Sequence, residues 1–257
     1  MSSLALREFS FWMIHYRRTW RGSAVVSFAN PLLFLLAVGA GLGRLVGDAG
    51  QEQLGGVSYL AFFAPGLLAA TTMQTAFVDS TRSVLTAGRP SGSYRAATAG
   101  PLEPGDVFRG HLLFITMRIL LTVCAFVAVL ALFDDLRGPR LFALVPAALL
   151  TGVAFAAPIA AWSATLDSPK AQMSLFRFVL LPLYMFSGTF FAVDQLPRVL
   201  RVVIEAAPLW HGVELCRAIA LGRAGTADTA VHCAFLAALA LAGVLWGGHT
   251  YRRNLHG

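Results

Sequence analysis

Apolar residues gather into six runs along the chain, and each run is long enough to cross a lipid bilayer. A transmembrane helix needs roughly 20 consecutive apolar residues, and charged residues are scarce inside these runs. Polar or Gly- and Pro-containing segments of varied length separate them. The pattern predicts an all-α polytopic membrane protein with six transmembrane helices, at residues 24–46, 57–78, 107–133, 141–165, 172–193 and 229–250.

The segment ahead of the first run, residues 1–22, has an amphipathic pattern. At about 100° per residue, its arginines share one arc and most of its aromatic residues gather opposite. The first set is Arg7, Arg17, Arg18 and Arg21, and the second is Phe9, Trp12, Tyr16 and Trp20 together with the apolar Met13. This pattern is typical of an N-terminal interfacial helix with aromatic side chains toward lipid and arginines toward anionic headgroups. The alternative is a polar extension of the first span.

The fifth run breaks at Ser187-Gly188, and the apolar pieces that follow are punctuated by Pro197 and Pro208. Each piece is too short to cross a bilayer. Non-helical backbone at membrane depth needs protein or water to satisfy its polar groups. Residues 194–222 are therefore predicted to lie on the outer surface, or to dip into the membrane and return as the wall or lid of a pathway.

Composition supports a membrane protein with one transmembrane domain, residues 1–257. The chain is 57% hydrophobic and 13% charged, with a mean hydropathy of +0.67, whereas a soluble surface carries roughly 25–35% charged residues. The run at 24–46 is longer than the apolar core of a signal peptide, about 7–15 residues. We therefore expect this run to remain in the mature protein.

The net charge of +7 comes almost entirely from arginine, because Lys170 is the only lysine. A basic chain can indicate a nucleic-acid partner, but the positions of the arginines favour a topology signal. With six spans both termini lie on one side of the membrane, and residues 1–22, the loop at 79–106 and Arg252-Arg253 all lie on that side. The positive-inside rule then predicts that both termini are cytoplasmic.

Motifs for catalysis, cofactors and metals are absent from the sequence. A P-loop requires GxxxxGK[ST], and the single lysine lies in SPKAQ. Neither HExxH nor GxSxG is present, and the six histidines have no ligand-like spacing. Cys124, Cys216 and Cys233 are interpreted as small apolar residues rather than as a disulfide or metal site. We predict no catalytic, cofactor-binding or metal site in this chain.

Four charged residues at or near membrane depth are candidates for function, because intramembrane charge is costly and usually faces a cavity or a partner. Asp79 is expected at the cytoplasmic end of its span, close to water. Arg118 lies near the middle of the third span, either in a buried structural pair or lining a pathway. Glu205 follows the fifth span, and Glu214 has the i,i+3 spacing of a local ion pair with Arg217.

Five motifs of the sequence bear on its family. They are Asn30-Pro31-Leu32 with GAGLG, then VSYLAFFAPGLLAATTM, GPLEPGDVFRG, FSGTFFAVDQLP and APLWHGVELCRAIALG. Together they resemble the membrane subunits (permeases) of type-2 ABC transporters, in particular the NodJ-like group of drug, lipid and polysaccharide exporters. The last two motifs, correctly spaced, are the most specific, and the similarity extends from about Phe9 to the C-terminus.

The resemblance implies a homodimer of permease subunits that works with two cytoplasmic ABC ATPase subunits, which would bind ATP and Mg²⁺. Residues 92–101 would form the coupling helix to the ATPase, with Ser93, Tyr94, Arg95 and Thr98. Residues 194–222 would form a re-entrant helical hairpin above the pathway. Candidate pathway and gate residues are Arg118, Phe186, Ser187, Gly188, Phe190, Phe191, Glu205, His211 and Glu214. The alternative for the phenylalanines is packing in the core or contact with lipid.

The expected function is export of an amphipathic substrate (a drug, a lipid or a lipo-oligosaccharide) across the bacterial plasma (inner) membrane. The chain itself is expected not to be an enzyme. A passive channel or a membrane assembly scaffold is the alternative, although neither explains the long basic loop. The sequence selects neither the substrate nor a homodimer over a heterodimer with a related permease.

Overall fold

Every regular element in the described part of the chain is helical, as the sequence predicts. The computed structural model describes residues 3–38, 56–89, 91–166, 168–193 and 196–255, and no strand forms among them. The helices are α1 (Ser3–Ala37), α2 (Tyr59–Gly88), α3 (Ser93–Thr98), α4 (Pro104–Leu130), α5 (Arg140–Ser163), α6 (Pro169–Leu175), α7 (Leu181–Phe186), α8 (Arg198–Glu205), α9 (Pro208–Leu221) and α10 (Thr226–Leu255). A 3₁₀ turn, Asp134–Leu136, precedes α5, and a π-helical turn, Phe176–Leu180, joins α6 to α7.

Four of these helices, α2, α4, α5 and α10, are long and apolar enough to cross a membrane. The number rises to five if Leu4–Gly22 and Ser27–Ala37, whose axes meet at 41°, count as one bent span. These helices agree with an integral membrane protein, and the count of six spans stays a prediction. Residues 39–46 of the first predicted span, and 194–195 at the start of the predicted hairpin, lie outside the described residues.

Helix α5 lies at the centre of the bundle and packs against α2, α4, α9 and α10. Its buried face consists largely of small residues, which let helix backbones approach closely. Gly152 shows how close: a Cβ atom there would lie 2.6 Å from the side chain of Ile119 on α4 and 3.3 Å from that of Thr72 on α2. The alanine- and glycine-rich sequence of α5 therefore determines how tightly the bundle closes.

Helix α2 continues to Gly88, so the prediction that a loop begins at residue 79 is wrong. No glycine or proline interrupts the chain between these two positions. The hydroxyls of Thr81 and Thr86 donate to carbonyl oxygens four residues earlier and so remain compatible with the helix. The helix ends ahead of Arg89-Pro90, where the residue before proline is biased away from helical backbone. The part of the loop that is not helical is correspondingly short.

The amphipathic pattern predicts that the aromatic residues of α1 face lipid, but not all of them do. Trp12 stacks on His111 of α4 with ring centroids 4.0 Å apart, and Tyr16 meets the edge of Phe114 at 6.1 Å. The prediction is wrong for these two residues, because α1 lies along α4 and buries this face against it. Trp20, by contrast, is 49% exposed.

Candidate functional site

The short helix α3 lies in the turn between α2 and α4, within the predicted coupling segment 92–101. Gly92 is its N-cap residue, and the Gly92 N–H donates to the carbonyl of Arg89 at 2.8 Å. A Cβ atom on Gly92 would lie 2.8 Å from the carbonyl oxygen of Thr86, so a larger residue would push the turn away from α2. The glycine thus holds α3 against the end of α2.

Tyr94 anchors α3 to two of the long helices. Its side chain is 1% exposed, and its hydroxyl contacts Nδ1 of His111 on α4 and lies 3.3 Å from the hydroxyl of Tyr251 on α10. Trp12 of α1 stacks on the same His111 ring. Burial raises the pKa of Tyr94 well above its ordinary value, because desolvation disfavours the phenolate. The phenol therefore stays protonated and keeps its hydrogen bonds.

The other predicted coupling residues differ in exposure. Arg95 is exposed, whereas Ser93 and Thr98 are half-buried. The Thr98 hydroxyl donates to the Tyr94 carbonyl at 3.1 Å and so stabilises the short helix from within. Arg95 can therefore contact a separate subunit directly, while the part of Tyr94 in such a contact is indirect.

Arg118 forms an ion pair with Asp79. Its Nε lies 3.3 Å from Oδ2 of Asp79, and the two side chains are 16% and 19% exposed. Its guanidinium carbon lies 4.6 Å from the centre of the Tyr16 ring, within the range of a cation–π contact. These contacts favour the structural pair among the two interpretations of Arg118. Both residues also line a groove of about 700 Å³ between α1, α2, α3 and α4, so a lining role is compatible with the pair.

The predicted fifth span is helical through α6, the π-helical turn and α7, and it ends at Ser187, at the predicted break. Pro182 lacks an N–H and cannot donate within the helix, and the π-helical turn lies directly ahead of it, a common way to absorb such an irregularity. Gly188 has φ +79°, a left-handed conformation that favours glycine. Residues 187–193, called here the 187–193 turn, leave the helix at this glycine.

The 187–193 turn packs onto the first residues of α2. The hydroxyl of Tyr59 donates to the carbonyl of Phe190 at 3.1 Å, and the Phe190 ring lies 5.4 Å from that of Phe63. Phe191 is half-buried, whereas Phe186 is 57% exposed. Of the three candidate gate phenylalanines, then, Phe190 packs against the core and Phe186 faces outward.

Arg217 of α9 fastens the 187–193 turn to α2. Its Nη2 donates to the carbonyl of Gly188 at 2.6 Å, and its Nε donates to the carbonyl of Phe62 at 3.2 Å. The guanidinium carbon lies 3.9 Å from the centre of the Phe62 ring. Nη1 lies 2.5 Å from Oε1 of Glu214, which confirms the ion pair predicted from the i,i+3 spacing. The sequence gives no local signal for the contacts with Gly188 and Phe62, and the importance of Arg217 was therefore missed.

The remaining candidates lie in two places. Glu205 pairs with Arg201 at 2.6 Å on the exposed helix α8. Nδ1 of His211 on α9 lies 2.8 Å from Nδ1 of His232 on α10. The His211 ring also stacks on the Phe235 ring, with centroids 3.9 Å apart. Together with Glu214, His211 lines a cavity of about 470 Å³ between α9 and α10.

The predicted pathway residues thus do not form one cluster. Arg118 is bound to Asp79, while the 187–193 turn contacts Tyr59, about 30 Å away along α2 at 1.5 Å per residue. Among the described residues, no group of His, Cys, Asp and Glu is arranged to hold a metal ion.

Comparison with known proteins gives a consistent result. The ABC-2 type transporter family matches residues 4–221. Nodulation protein J of Rhizobium leguminosarum bv. trifolii is 32% identical over 222 residues, covering 82% of this chain and 81% of that protein. Nodulation protein J of Sinorhizobium fredii (strain NBRC 101917 / NGR234) is 29% identical over 239 residues, covering 90% and 88%. The matched region includes both the coupling segment and the 187–193 turn.

Proposed function

We propose a function from the premise that this chain belongs to the ABC-2 type transporter family. It is the membrane subunit of an ABC exporter in the bacterial inner membrane. It moves an amphipathic substrate, a drug, a lipid or a lipo-oligosaccharide, out of the cytoplasm. Two separate cytoplasmic ATPase subunits bind ATP and Mg²⁺ and supply the energy.

The proposed architecture has six spans, cytoplasmic termini, an interfacial helix at residues 1–22 and a re-entrant hairpin at 194–222. The lengths of α8 and α9, 8 and 14 residues, support the hairpin, because neither is long enough to cross a bilayer. The functional unit is a homodimer, with the pathway between two copies of the chain.

The observation that carries the proposed mechanism is the attachment of α3 through Tyr94. An ATPase that docks on the exposed Arg95 surface would push on a helix whose buried side chain contacts α4 and α10 directly. Closure of the ATPases would therefore move these long helices. Because a ligand shifts a conformational equilibrium only through different contacts in the two states, the ATPases supply the driving energy and this chain transmits it.

The proposed gate consists of Phe186, the 187–193 turn and the hairpin, including Glu205, His211 and Glu214. Its support is geometric: the turn is bound to α2 at one point and to α9 at another, through Arg217. A rearrangement of α2 would therefore carry the turn with it. Phe186, which is exposed, offers an apolar surface to a passing acyl or aromatic group.

Copurification of a P-loop ATPase with the tagged chain from its native membrane tests the function. We expect Arg95→Glu to lower the copurified ATPase and substrate-dependent ATP hydrolysis at least several-fold, because the change reverses the charge at the docking surface. Arg137→Glu is the matched control, since Arg137 lies in the turn before α5 and contacts the nearby Asp134 carboxylate and Ala131 carbonyl. Full copurification and full transport by Arg95→Glu would contradict the coupling assignment. Flux of substrate through vesicles that contain this chain alone, without ATP, would favour the passive channel.

A further inference from the structure

A polar cavity of about 670 Å³ lies where the ends of α2, α5 and α10 meet beside α3. The side chain of Asn254 donates to the carbonyl of Ala164 at 2.9 Å and so joins the end of α10 to the end of α5 across the base of the cavity. Its volume is within the range of small-molecule binding sites, about 300–1,000 Å³. Arg95 is the one described lining residue that also belongs to the proposed coupling segment.

The cavity is basic. Arg89, Arg95, Arg253 and His249 line it, and its described lining residues include no carboxylate. None of the ion pairs found in the described part of the chain involves these arginines. This contrasts with Arg118 and Arg217, each of which has an acidic partner. The charge around the cavity therefore suits an anionic ligand.

An apolar stripe on α10 leads into the same cavity. Leu241, Leu245 and His249 follow one another at four-residue spacing and so lie on one face of the helix, with Arg253 next in line. Leu241 is 63% and Leu245 75% exposed, and the neighbouring Trp246, at the cavity rim, is 45% exposed. Tryptophan is enriched at the membrane–water interface. The face thus changes from apolar to basic at the level of a tryptophan, as a surface in contact with a phospholipid would.

We propose that this cavity binds the phosphate headgroup of an anionic phospholipid, with the acyl chains along the exposed stripe of α10. Basic pockets between membrane helices bind such headgroups in other proteins. The stripe favours a lipid over a soluble phosphate, because the exposed Leu241 and Leu245 of this membrane-spanning helix place the cavity next to the layer of lipid headgroups.

Binding can be measured on the full-length chain, purified in detergent with any attached ATPase and stripped of lipid. Brominated phosphatidylglycerol and brominated phosphatidylcholine are the probes, read by quenching of tryptophan fluorescence, with Trp246→Phe identifying the local signal. We expect phosphatidylglycerol to bind at least 10-fold more tightly than phosphatidylcholine. The double variant Arg89→Gln/Arg253→Gln should abolish this preference, while Arg137→Gln should retain it. Inorganic phosphate at millimolar concentration should compete weakly.

Several results would overturn the proposal. Equal binding of the two lipids, or an unchanged preference in the double variant, would show that the cavity does not select anionic headgroups. Strong competition by inorganic phosphate would assign it to a soluble anion. Loss of copurified ATPase with retained lipid preference would make it part of the docking surface instead. If the double variant does not fold, Arg89→Lys/Arg253→Lys retains both charges and should keep the preference, and its loss there would also contradict the proposal.

Discussion

Arg217 offers the sharpest quantitative test of the structure, since the chain contains a matched arginine that differs mainly in burial. Both Arg217 and Arg137 pair with an acidic residue three positions earlier, Glu214 and Asp134 respectively. The Arg217 side chain is 7% exposed, whereas that of Arg137 is 63% exposed. Replacing each by alanine therefore compares a buried and an exposed ion pair of the same spacing.

The expected magnitude follows from the contacts that Arg217→Ala removes. Two carbonyl groups, of Gly188 and Phe62, lose charged donors, and hydrogen bonds to charged groups contribute about 1.5–3 kcal/mol each. Breaking a buried pair from one side costs about 3–5 kcal/mol. Water partly replaces the lost partner of the Glu214 carboxylate, whose side chain is 32% exposed. We expect Arg217→Ala to lower the free energy of unfolding by about 3–4 kcal/mol, and Arg137→Ala by no more than about 1 kcal/mol, as for surface pairs.

Denaturant unfolding in mixed micelles gives the free energies, and a natural thiol reports the local effect. Cys216 is buried beside Arg217, whereas Cys124 is exposed. With Cys124 and Cys233 replaced by serine, a maleimide should not label Cys216 in the parent but should label it in Arg217→Ala. Arg217→Lys should fall between parent and alanine, because one ammonium group cannot replace the several donors of a guanidinium. Equal unfolding free energies for Arg217→Ala and Arg137→Ala, with Cys216 protected in both, would refute the assignment of Arg217 as the link between the turn and α2.

Two further predictions concern other polar contacts. Arg118→Ala or Asp79→Ala alone should lower the free energy of unfolding by about 2–4 kcal/mol. The double variant Arg118→Met/Asp79→Leu should lie within about 1 kcal/mol of the parent, because breaking a buried pair costs more than replacing it with apolar residues. If the effects of the two single alanine variants add up in the double alanine variant, the two residues do not form a pair. Tyr94→Phe should lower the free energy of unfolding by about 1–2 kcal/mol, because it removes the hydrogen bonds of the hydroxyl. It should lower ATPase copurification less than Arg95→Glu does, since the phenyl ring still fills the same space. A loss of copurification in Tyr94→Phe equal to that in Arg95→Glu would show instead that the hydroxyl itself takes part in docking.

The features that could be predicted from the sequence are those with a local cause. Long apolar runs predict membrane helices, and the Ser187-Gly188 pair predicts the break at Ser187. The i,i+3 spacing predicts the pair of Glu214 and Arg217. Each of these depends on residues that are neighbours along the chain, so the physical reason is already contained in a short window of sequence.

The features that could not be predicted depend on which helices lie side by side. Asp79 and Arg118 are far apart in the sequence, as are Phe62 and Arg217. No sequence pattern around any of these residues identifies the residue that it contacts. The environment of the aromatic face of α1 does not follow from its sequence for the same reason. Amphipathicity shows that one face is apolar, but lipid and a neighbouring helix such as α4 satisfy that face equally well. Only the packing of α1 on α4 decides between them.

This ambiguity has a physical origin that also explains where the buried polar residues lie. In a bilayer, apolar contacts give little preference for one helix neighbour over another, because lipid tails are as apolar as leucine. Close packing of small residues, as along α5, supplies attraction, while polar contacts supply direction. Asp79 pairs with Arg118 toward one end of α2, and Phe62 accepts from Arg217 near the other. One helix is thus fixed at two separated points, on the side of the proposed coupling helix and on the side of the proposed gate. A core of apolar residues alone would hold α2 in the bundle without fixing its position relative to the proposed coupling helix or the proposed gate.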